Sequence, residues 1–459
     1  MIDKKILKEL KKILGPENVF TGNTELLSYS YDSQHVNAMP DAVAHVSDKS
    51  EIAAVVKLAS KHGIPLITRG AGSGLTGGSV PEMGGIVLNL ERMNKILNLS
   101  VEDRIIRVQP GVITGDIQDL AEKNGLYYPP EPASAKFSSI GGNVAESAGG
   151  LGCVKYGLTK DFVRGLEFIT AGGVFVRTGI YSDKESTIDL GTLLIGSEGT
   201  LGVITEIALR LIPLPESTIT MRALFRNLVD AADASNAVLS SGVGPSVLEF
   251  MDGHCIDTVR EYADSDIPED IGALLLVEIE GNAEEVLAGH ETVLDILKTK
   301  NPVELRSAKT PAERASLWKL RKSLSPSIAK IAPVKFNEDI CVPISQIPHI
   351  CSYVEKLGTK RNVKVVTFGH SGDGNIHVNF MTHWDKTDEL ARVKKAIKEL
   401  FVETIRSGGT LSGEHGIGLS KRGYISLALD KPTIAFEKKI KHAFDPENIL
   451  NPGKIFPEG

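Results

Sequence analysis

The sequence contains the stretch Arg69-Gly-Ala-Gly-Ser-Gly-Leu-Thr-Gly-Gly78, in which half of the residues are glycine. It follows an apolar segment, Ile64–Thr68, that is predicted to be a β-strand. Glycine permits positive φ angles and lets another group approach the backbone closely. Successive backbone N–H groups in such a loop form a concave surface that favours anions. The stretch therefore predicts a loop that cradles the phosphates of a cofactor.

The segment after this loop separates it from two other phosphate-binding motifs. A dinucleotide-binding G-x-G-x-x-G turn opens a helix and is followed about 20 residues later by an acidic residue. Here Gly78 is followed by Ser-Val-Pro-Glu-Met-Gly-Gly, which is a poor helix start. The Gly-Lys-Ser/Thr ending of a P-loop is absent as well. Taken alone, the loop is compatible with a plain glycine-rich surface turn.

Two further glycine clusters favour the cofactor interpretation, namely Ile140–Gly150 and Gly196–Gly202. Before the first loop, a strand is predicted at Ala42–Val46 and a helix, capped by Ser50, at Glu51–His62. With the strand that enters the loop they make a βαβ-like unit. Three clusters at the ends of predicted elements indicate one long cofactor of dinucleotide size.

Predicted strands and helices are interleaved along the rest of the chain. At 459 residues it should hold more than one domain. A boundary is predicted at Pro213 and Pro215. The predicted elements are a hairpin at Gly165–Arg177, strands at Val203–Leu211, Leu274–Ile279, Val334–Ile340 and Val363–Phe368, and helices at Asn227–Ser240, Ala283–Thr299, Pro311–Leu324 and Asp388–Arg406.

The composition argues against several classes of protein. The net charge is −7 and no basic block is present, which argues against nucleic-acid binding and against binding to anionic membranes. No apolar run reaches transmembrane length, and the charged amphipathic start is unlike a signal peptide. The four cysteines have no C-x-x-C spacing, so neither a disulfide framework nor an iron–sulfur cluster is indicated. We therefore expect a cytoplasmic protein.

A second chemical signal is the segment Gly369-His-Ser-Gly-Asp-Gly-Asn-Ile-His-Val-Asn379. His370 ends a predicted strand and His377 begins the next, with Asn379 on the same face as His377. The turn between the two strands can bring the two imidazoles together. Asn379 could then orient a ligand or the substrate, or simply hydrogen-bond within the hairpin.

A later segment, Ser412-Gly-Glu-His-Gly-Ile-Gly418, adds a carboxylate and a third imidazole. Glu414 and His415 lie next to each other in a loop predicted to be extended, so their side chains should point to different sides. Two histidines with one carboxylate suit zinc or ferrous iron with an open position for a substrate. The alternative is a polar hairpin with hydrogen-bonded core histidines.

Together these motifs resemble the FAD-linked 2-hydroxy-acid dehydrogenases of the vanillyl-alcohol-oxidase type. The resemblance runs from about Tyr31 to Lys454. It rests on the glycine loop at Arg69, on Pro-Pro-Glu-Pro, Gly-Gly-Asn, Gly-Ser-Glu-Gly-Thr-Leu-Gly and Gly-His-x-Gly-Asp-Gly-Asn-x-His, and on Gly-Glu-His-Gly-Ile-Gly and Asn-Pro-Gly-Lys. The members of this family that the chain resembles most are D-lactate dehydrogenases, glycolate oxidase catalytic subunits and D-2-hydroxyglutarate dehydrogenases.

The resemblance implies an α+β fold, with an FAD-binding domain of two subdomains at residues 1–213. It also implies a cap domain with an antiparallel sheet and helices at 214–410, and a segment returning to the flavin at 411–459. No histidine lies in the first glycine loop, so non-covalent FAD is expected. The residues implied to bind FAD are Arg69, Gly70, Ala71, Gly72, Ser73, Gly74, Leu75, Thr76, Gly77, Gly78, Pro130, Glu131, Ser134, Gly141, Gly142, Asn143, Gly149, Gly157, Glu198, Gly199, Ile204 and Asn451.

The resemblance also implies the residues of the reaction. His370, His377 and Glu414 would hold a divalent metal, Zn²⁺ or Fe²⁺. The general base would be His415. Arg321, assisted by Lys335, would bind the substrate carboxylate, which matches the planar fork of a guanidinium.

The implied reaction oxidises a small D-2-hydroxy acid, with D-lactate expected first and glycolate or D-2-hydroxyglutarate as alternatives. Since the sequence has no cluster-binding cysteines, electrons would leave to an external acceptor. Within the family that acceptor is an iron–sulfur subunit, a quinone pool or an electron-transferring flavoprotein, and the acidic composition of this chain favours one of the two proteins. Two rival interpretations are a metal-dependent hydrolase or lyase, and a catalytically silent flavin-carrying subunit.

Overall fold

The computed structural model describes residues 2–34, 36–181, 189–263, 267–308 and 310–457. The chain divides into two units, and both are discontinuous in sequence. The first unit comprises Met1–Gly149, Leu158–Leu214 and Glu414–Gly459. The second comprises Gly150–Gly157 and Pro215–Gly413.

The strands are numbered in chain order. They are β1 Val19–Phe20, β2 Ala42–His45, β3 Leu66–Arg69, β4 Ile86–Asn89, β5 Ile96–Ser100, β6 Ile105–Val108, β7 Leu126–Tyr127, β8 Val163–Ile169, β9 Phe175–Arg177, β10 Val203–Arg210, β11 Ile212–Pro213, β12 Ser217–Phe225, β13 Val247–Asp252, β14 Ala273–Gly281, β15 Glu304–Ser307, β16 Val334–Cys341, β17 Lys364–His370 and β18 Asn375–Thr382.

The α-helices are numbered in the same way. They are α1 Lys4–Leu14, α2 Asn23–Ser28, α3 Lys49–His62, α4 Thr114–Glu122, α5 Ile140–Glu146, α6 Cys153–Tyr156, α7 Thr159–Phe162, α8 Leu190–Leu194, α9 Leu228–Ser240, α10 Gly253–Ala263, α11 Ala283–Thr299, α12 Pro311–Ile328, α13 Ile347–Arg361, α14 Thr387–Arg406, α15 Ile425–Ala428 and α16 Lys431–Phe444.

The first unit contains a four-stranded sheet in the order β1-β2-β4-β3, whose last three strands are parallel. Helix α3 connects β2 to β3 and buries Ile52, Val56 and Ala59 in the core of this sheet. Its N-cap is Asp48, which forms a reciprocal capping box with Glu51. The expected cap, Ser50, is therefore wrong, and its own backbone N–H donates to Asp48 at 2.7 Å.

A second sheet of the first unit has five antiparallel strands in the order β5-β6-β10-β8-β9. Strands β8 and β9 form the hairpin expected at Gly165–Arg177. Strand β10 lies at the centre of this sheet and is buried except for its last residue, Arg210. Its apolar run thus gives this part of the unit its core.

The second unit is built on a seven-stranded antiparallel sheet in the order β15-β12-β14-β13-β17-β18-β16. Helices α10 and α12 pack on one face, where Ile256 and Trp318 join a core with strand residues such as Met251. On strands β14 and β17, Ile279 and Val365 point to the other face and contact α11 and α13. The α+β class and the antiparallel sheet expected for the cap are confirmed.

Candidate active site

The first glycine loop follows strand β3 at Arg69. Gly72 and Gly77 have φ angles of +66° and +80°, which glycine adopts readily. Among the described residues, no backbone carbonyl accepts a hydrogen bond from the N–H groups of residues 71–76. A run of unpaired N–H groups suits phosphate oxygens. The loop therefore fits the pyrophosphate of a dinucleotide.

The side chain of Arg69 has a supporting position under this loop. Its Nη1 donates to the carbonyl of Tyr31 at 2.7 Å and to Oγ of Ser79 at 3.1 Å. A Cβ on Gly72 would lie 2.1 Å from Nη2 of Arg69. These contacts fix the shape of the loop, while a direct contact of Arg69 with FAD stays a prediction.

All three glycine clusters meet within the first unit. A Cβ on Gly70 would lie 2.0 Å from Oγ of Ser139, so the first loop touches the start of α5. The N–H of Glu198 in turn donates to the carbonyl of Ala145 in α5 at 2.8 Å. The amide of Asn451 donates to the carbonyls of Gly78 and Glu198 at 2.8 and 2.7 Å. The last segment of the chain thus joins the first and third clusters.

Glu198 has a second contact that the sequence did not suggest. Its carboxylate accepts the backbone N–H groups of Ile417 and Gly418, each at 2.7 Å. Burial raises the pKa of Glu198, and these two N–H groups partly oppose that rise. The contact fixes the backbone directly after His415. Binding of FAD by the Glu198 side chain stays a prediction.

The other residues predicted to bind FAD are spread along the same unit, with one exception. Asn143 donates to Oγ1 of Thr114 at 2.6 Å, and the N–H of Gly141 donates to the carbonyl of Pro110 at 2.8 Å. Gly157 belongs to the short piece of chain in the second unit. The remainder lie in the first unit and are Ala71, Ser73, Gly74, Leu75, Thr76, Pro130, Glu131, Ser134, Gly142, Gly149, Gly199 and Ile204.

The two histidines of the second unit lie side by side on neighbouring strands. His370 is the last residue of β17, and His377 is the third residue of β18. Both are buried, and their Nε2 atoms are 3.4 Å apart. Two nitrogens bound to a tetrahedral metal at about 2.0–2.1 Å lie roughly 3.4 Å apart. The donor set therefore fits a shared divalent cation.

Glu249 is a functional candidate that the sequence did not indicate. It lies on β13 directly opposite His370 and is completely buried. Its Oε1 contacts Nδ1 of His370, and its Oε2 accepts Nε of Arg321 at 2.7 Å. Burial acts to raise the pKa of Glu249, but the charges of His370 and Arg321 outweigh it and hold the pKa below its usual range. An acidic residue flanked by Leu248 and Phe250 in a buried strand was the available signal.

Arg321 lies on the face of α12 that packs on the sheet. Its guanidinium stacks over Phe368 with 4.8 Å between the guanidinium carbon and the ring centre. The same helix is anchored by Arg314 and Trp318, which both hydrogen-bond to the buried Glu278. In the described part of the chain, the hydrogen bond of Arg321 uses Nε, so its two terminal nitrogens can bind a carboxylate.

Further polar side chains share this face of the sheet with the histidines. Asn379 and Met381 follow His377 by two and four residues on β18. The strand register places Asn337 opposite Asn379 and Lys335 opposite Met381. Asn379 is fully buried and donates to the carbonyl of Val366 at 3.2 Å. Burial lowers the pKa of Lys335. A row of polar groups therefore continues from the histidines along the sheet.

The position of Glu414 is set by the residue before it. The N–H of Gly413 donates to Oδ2 of Asp339 at 2.9 Å, and Asp339 lies opposite His377. His370 and His377 lie in the second unit, whereas Glu414 begins the last stretch of the first unit, so a cation site shared by all three stays a prediction. Two nitrogens and a carboxylate oxygen are ligands that Zn²⁺ and Fe²⁺ accept.

His415 follows at once in the first unit. Its Nε2 lies 3.8 Å from Oε1 of Glu414, so the two side chains approach each other rather than pointing to different sides as expected. Its backbone carbonyl accepts the hydroxyl of Thr76 at 3.2 Å. The backbone of His415 is therefore hydrogen-bonded to the first glycine loop, and this bond does not involve the imidazole.

Comparisons with known protein families agree with both units. Residues 40–179 match the FAD binding domain, and residues 214–455 match the C-terminal domain of FAD linked oxidases. The glycolate oxidase subunit GlcD of Bacillus subtilis is 40% identical over 99% of this chain and 97% of its own length. D-lactate dehydrogenase of Anaerostipes hadrus is 34% identical over 99% and 98%. D-2-hydroxyglutarate dehydrogenase of Stutzerimonas stutzeri is 31% identical over 99% and 100%.

Solved structures give the same fold at low sequence identity. p-Cresol methylhydroxylase superimposes with a TM-score of 0.83 and 18% identity, covering 98% of this chain and 96% of the other. The 4-ethylphenol oxidase of Gulosibacter chungangensis gives 0.82 and 18%, covering 99% and 97%. In the described part of the chain, no helix combines the length and apolar character needed to cross a membrane.

Proposed function

The chain belongs to the family of FAD-linked oxidases of the vanillyl-alcohol-oxidase type, and on that basis we propose that it oxidises a small D-2-hydroxy acid to the 2-oxo acid. Its class as an FAD-linked oxidoreductase follows from the family, so the hydrolase or lyase alternative is set aside. The observation that carries the proposal is the contact of Glu249 with His370 and Arg321.

The substrate is proposed to be a short 2-hydroxy acid, with D-lactate first. Glycolate is the second candidate, because the glycolate oxidase subunit has the highest identity of the relatives named above. D-2-hydroxyglutarate is the third candidate. All three carry a carboxylate next to a carbon with a hydroxyl group, which are the two groups that the proposed site recognises.

Arg321 is proposed to bind the substrate carboxylate through its terminal nitrogens, assisted by Lys335. A bidentate contact fixes both position and orientation of the carboxylate, and with it the neighbouring carbon 2. Glu249 holds Nε of Arg321 at 2.7 Å, so the guanidinium is oriented before the substrate binds. The buried position of the pair supports this role because few water molecules compete for the fork there.

His370, His377 and Glu414 are proposed to hold a divalent cation, Zn²⁺ or Fe²⁺. A cation bound there would act as a Lewis acid toward the 2-hydroxyl group and lower its pKa. His415 is proposed to accept the proton of that hydroxyl at its imidazole, because imidazole is the side chain that most often serves as a general base. FAD, when bound, supplies the acceptor for the hydride that leaves carbon 2.

FAD is proposed to bind non-covalently through the glycine loops of the first unit. Support comes from the N–H groups of residues 71–76, which donate to no backbone carbonyl of a described residue, and from the contacts that join the three clusters. The reduced flavin is proposed to pass its electrons to a separate protein, either an electron-transferring flavoprotein or an iron–sulfur subunit. A cytoplasmic location stays a prediction.

The proposal is tested by anaerobic bleaching of the bound flavin. The purified protein should show flavin absorption, and D-lactate or glycolate should reduce it within a normal turnover time. The panel should contain both enantiomers of lactate and of 2-hydroxyglutarate, together with glycolate. A protein that cannot take up FAD, or a flavin that no 2-hydroxy acid reduces, would contradict the proposal and favour the silent subunit.

A further inference from the structure

Glu249 sits between two groups to which the proposed function gives different tasks. One carboxylate oxygen contacts Nδ1 of His370, and the other accepts Nε of Arg321 at 2.7 Å. The side chain of Glu249 is completely buried, and that of Arg321 is 14% exposed. A carboxylate in such a position is costly to bury unless both oxygens are used, so its contacts are strongly favoured.

The fold explains why one glutamate reaches both partners. Strands β13 and β17 are antiparallel neighbours, and Glu249 pairs directly with His370, so both side chains leave the same face of the sheet. That face also carries α12, which presents Arg321 from above. Glu278 lies on the same face of β14, opposite Val247, and binds Arg314 and Trp318 of the same helix. Within the described part of the chain, the side-chain partners of Glu278 are Thr220, Arg314 and Trp318, and none of them is a histidine.

The contact with Glu249 selects one form of the His370 ring. A carboxylate accepts hydrogen bonds and cannot donate them when ionised, so the proton of a neutral His370 is held on Nδ1. The lone pair then remains on Nε2, which lies 3.4 Å from Nε2 of His377. Metal-binding histidines are commonly oriented in this way by a carboxylate behind the ring.

We propose that Glu249 is a positioning residue that links the cation site to the arginine that binds the substrate carboxylate. One oxygen keeps His370 in the tautomer that can bind a cation, and the other keeps the fork of Arg321 aimed at the substrate. The inference rests on the proposed function. It adds that cation affinity and substrate affinity depend on one shared side chain.

The test compares the purified flavoprotein with three variants, Glu249→Gln, Glu249→Asp and Glu278→Gln. In Glu249→Gln, the amide can donate to Nδ1 of His370 and so stabilise the wrong tautomer. Glu278→Gln is the matched control, because it alters a buried glutamate on the same face with contacts to the same helix. The readouts are Zn²⁺ affinity by competition with a chelator, FAD content, and KM and kcat for the acid that bleaches the wild-type flavin.

Glu249→Gln should weaken Zn²⁺ binding by about 10–100-fold and raise KM by a similar factor, while FAD content stays unchanged. Glu249→Asp, which keeps the carboxylate, should recover part of both losses. Glu278→Gln should bind Zn²⁺ as tightly as the wild type even if it unfolds at a lower temperature. These three results together would support a positioning role.

Two kinds of result would contradict the inference. One leaves the proposed function intact, and the other also removes the cation site from it. Wild-type Zn²⁺ affinity in Glu249→Gln, or an equal loss in Glu278→Gln, would contradict the role of Glu249 and leave the proposed function standing. Absence of Zn²⁺ binding by the wild type would remove the cation site from the proposed function, and this inference would go with it.

Discussion

His415 is the side chain on which the proposed proton transfer depends, and its main chain is held separately from its imidazole. Replacement of His415 by Asn should leave FAD content unchanged, because the bond from Thr76 uses the carbonyl of residue 415. The rate of flavin reduction by substrate should fall by about 10²–10⁴-fold, since the amide cannot accept the proton. Stopped-flow absorbance under anaerobic conditions measures that rate.

The control for this variant is His349→Asn, which changes a half-exposed histidine on α13 that pairs with Glu403. Its flavin should be reduced at the wild-type rate. If His415→Asn also reduced at the wild-type rate, His415 would lose the role of base.

Asp32 should make the stability of the first unit depend on pH. Burial raises its pKa to about 6 from an ordinary value of 3.8. The folded state therefore binds more protons than the unfolded state between these values, and stability falls as pH rises toward 6. Between pH 5 and 7 the loss should be on the order of 1 kcal/mol.

Thermal unfolding of Asp32→Asn across this pH range checks that slope. The decrease in stability between pH 5 and 7 that Asp32 causes in the wild type should be absent from Asp32→Asn. It should persist in Asp119→Asn, which changes an exposed carboxylate on α4. A wild-type slope retained in Asp32→Asn would assign the pH dependence to another group.

The sequence predicted some residues of the site and missed Glu249 for a physical reason. His370 and His377 are seven residues apart, so the sequence alone shows that a turn can pair them. Glu249 is 121 residues from His370 and 72 from Arg321, and no local pattern links these positions. Its role depends on the order of strands in the sheet, which single-sequence patterns do not give.

Among the elements, the glycine loop after β3 offers the most direct test of the FAD site. Replacement of Gly70 by Ala would place a Cβ 2.0 Å from Oγ of Ser139. Either the loop or the start of α5 must then move, at a cost of about 1–3 kcal/mol. FAD retained after gel filtration, measured by absorbance, should fall.

Gly423→Ala is the matched control, because a Cβ there would have no neighbour within 4 Å. It should retain FAD like the wild type. The second change Ser139→Gly should restore FAD to Gly70→Ala by making room for the methyl group. Full FAD content in Gly70→Ala alone would show that the loop shape is not needed for binding.

Among the helices and strands, the sequence correctly predicts those in which apolar residues repeat with a clear helical or strand period. Helix α11 begins and ends as expected at Ala283 and Thr299. Helix α13 was missed because Gly358 lies in its interior, where glycine is a poor helix former, although Pro348 in its first turn is a position that proline tolerates. Helix α10, which begins at Gly253, was missed for the same kind of reason.

For the whole molecule, the residues proposed to hold FAD and those proposed to hold the cation belong largely to different units. Treatment with a chelator should therefore abolish flavin reduction by hydroxy acids and leave the visible flavin spectrum in place. Re-addition of Zn²⁺ or Fe²⁺ should restore reduction. Anaerobic titration before and after dialysis measures both effects, and full activity after verified metal removal would exclude a cation from the reaction.

The general plan of the molecule was predictable, but the assignment of one short segment was not. The family resemblance predicts the α+β class and the antiparallel cap. It also assigns Gly150–Gly157 to the FAD-binding domain at residues 1–213. The structure places it in the second unit, where Leu151 packs on the core formed with α10 and α12. Domain membership of so short a piece depends on contacts far away in sequence.

The order of synthesis adds a constraint, because the first unit is completed only by Glu414–Gly459. Its three glycine clusters leave the ribosome early, yet their partners Ile417, Gly418 and Asn451 are translated only after residues 215–413. At ordinary elongation rates that interval lasts roughly 10–40 s. The contacts of the glycine clusters with this C-terminal segment can therefore form only after residues 215–413 have been translated, which gives the second unit time to fold first.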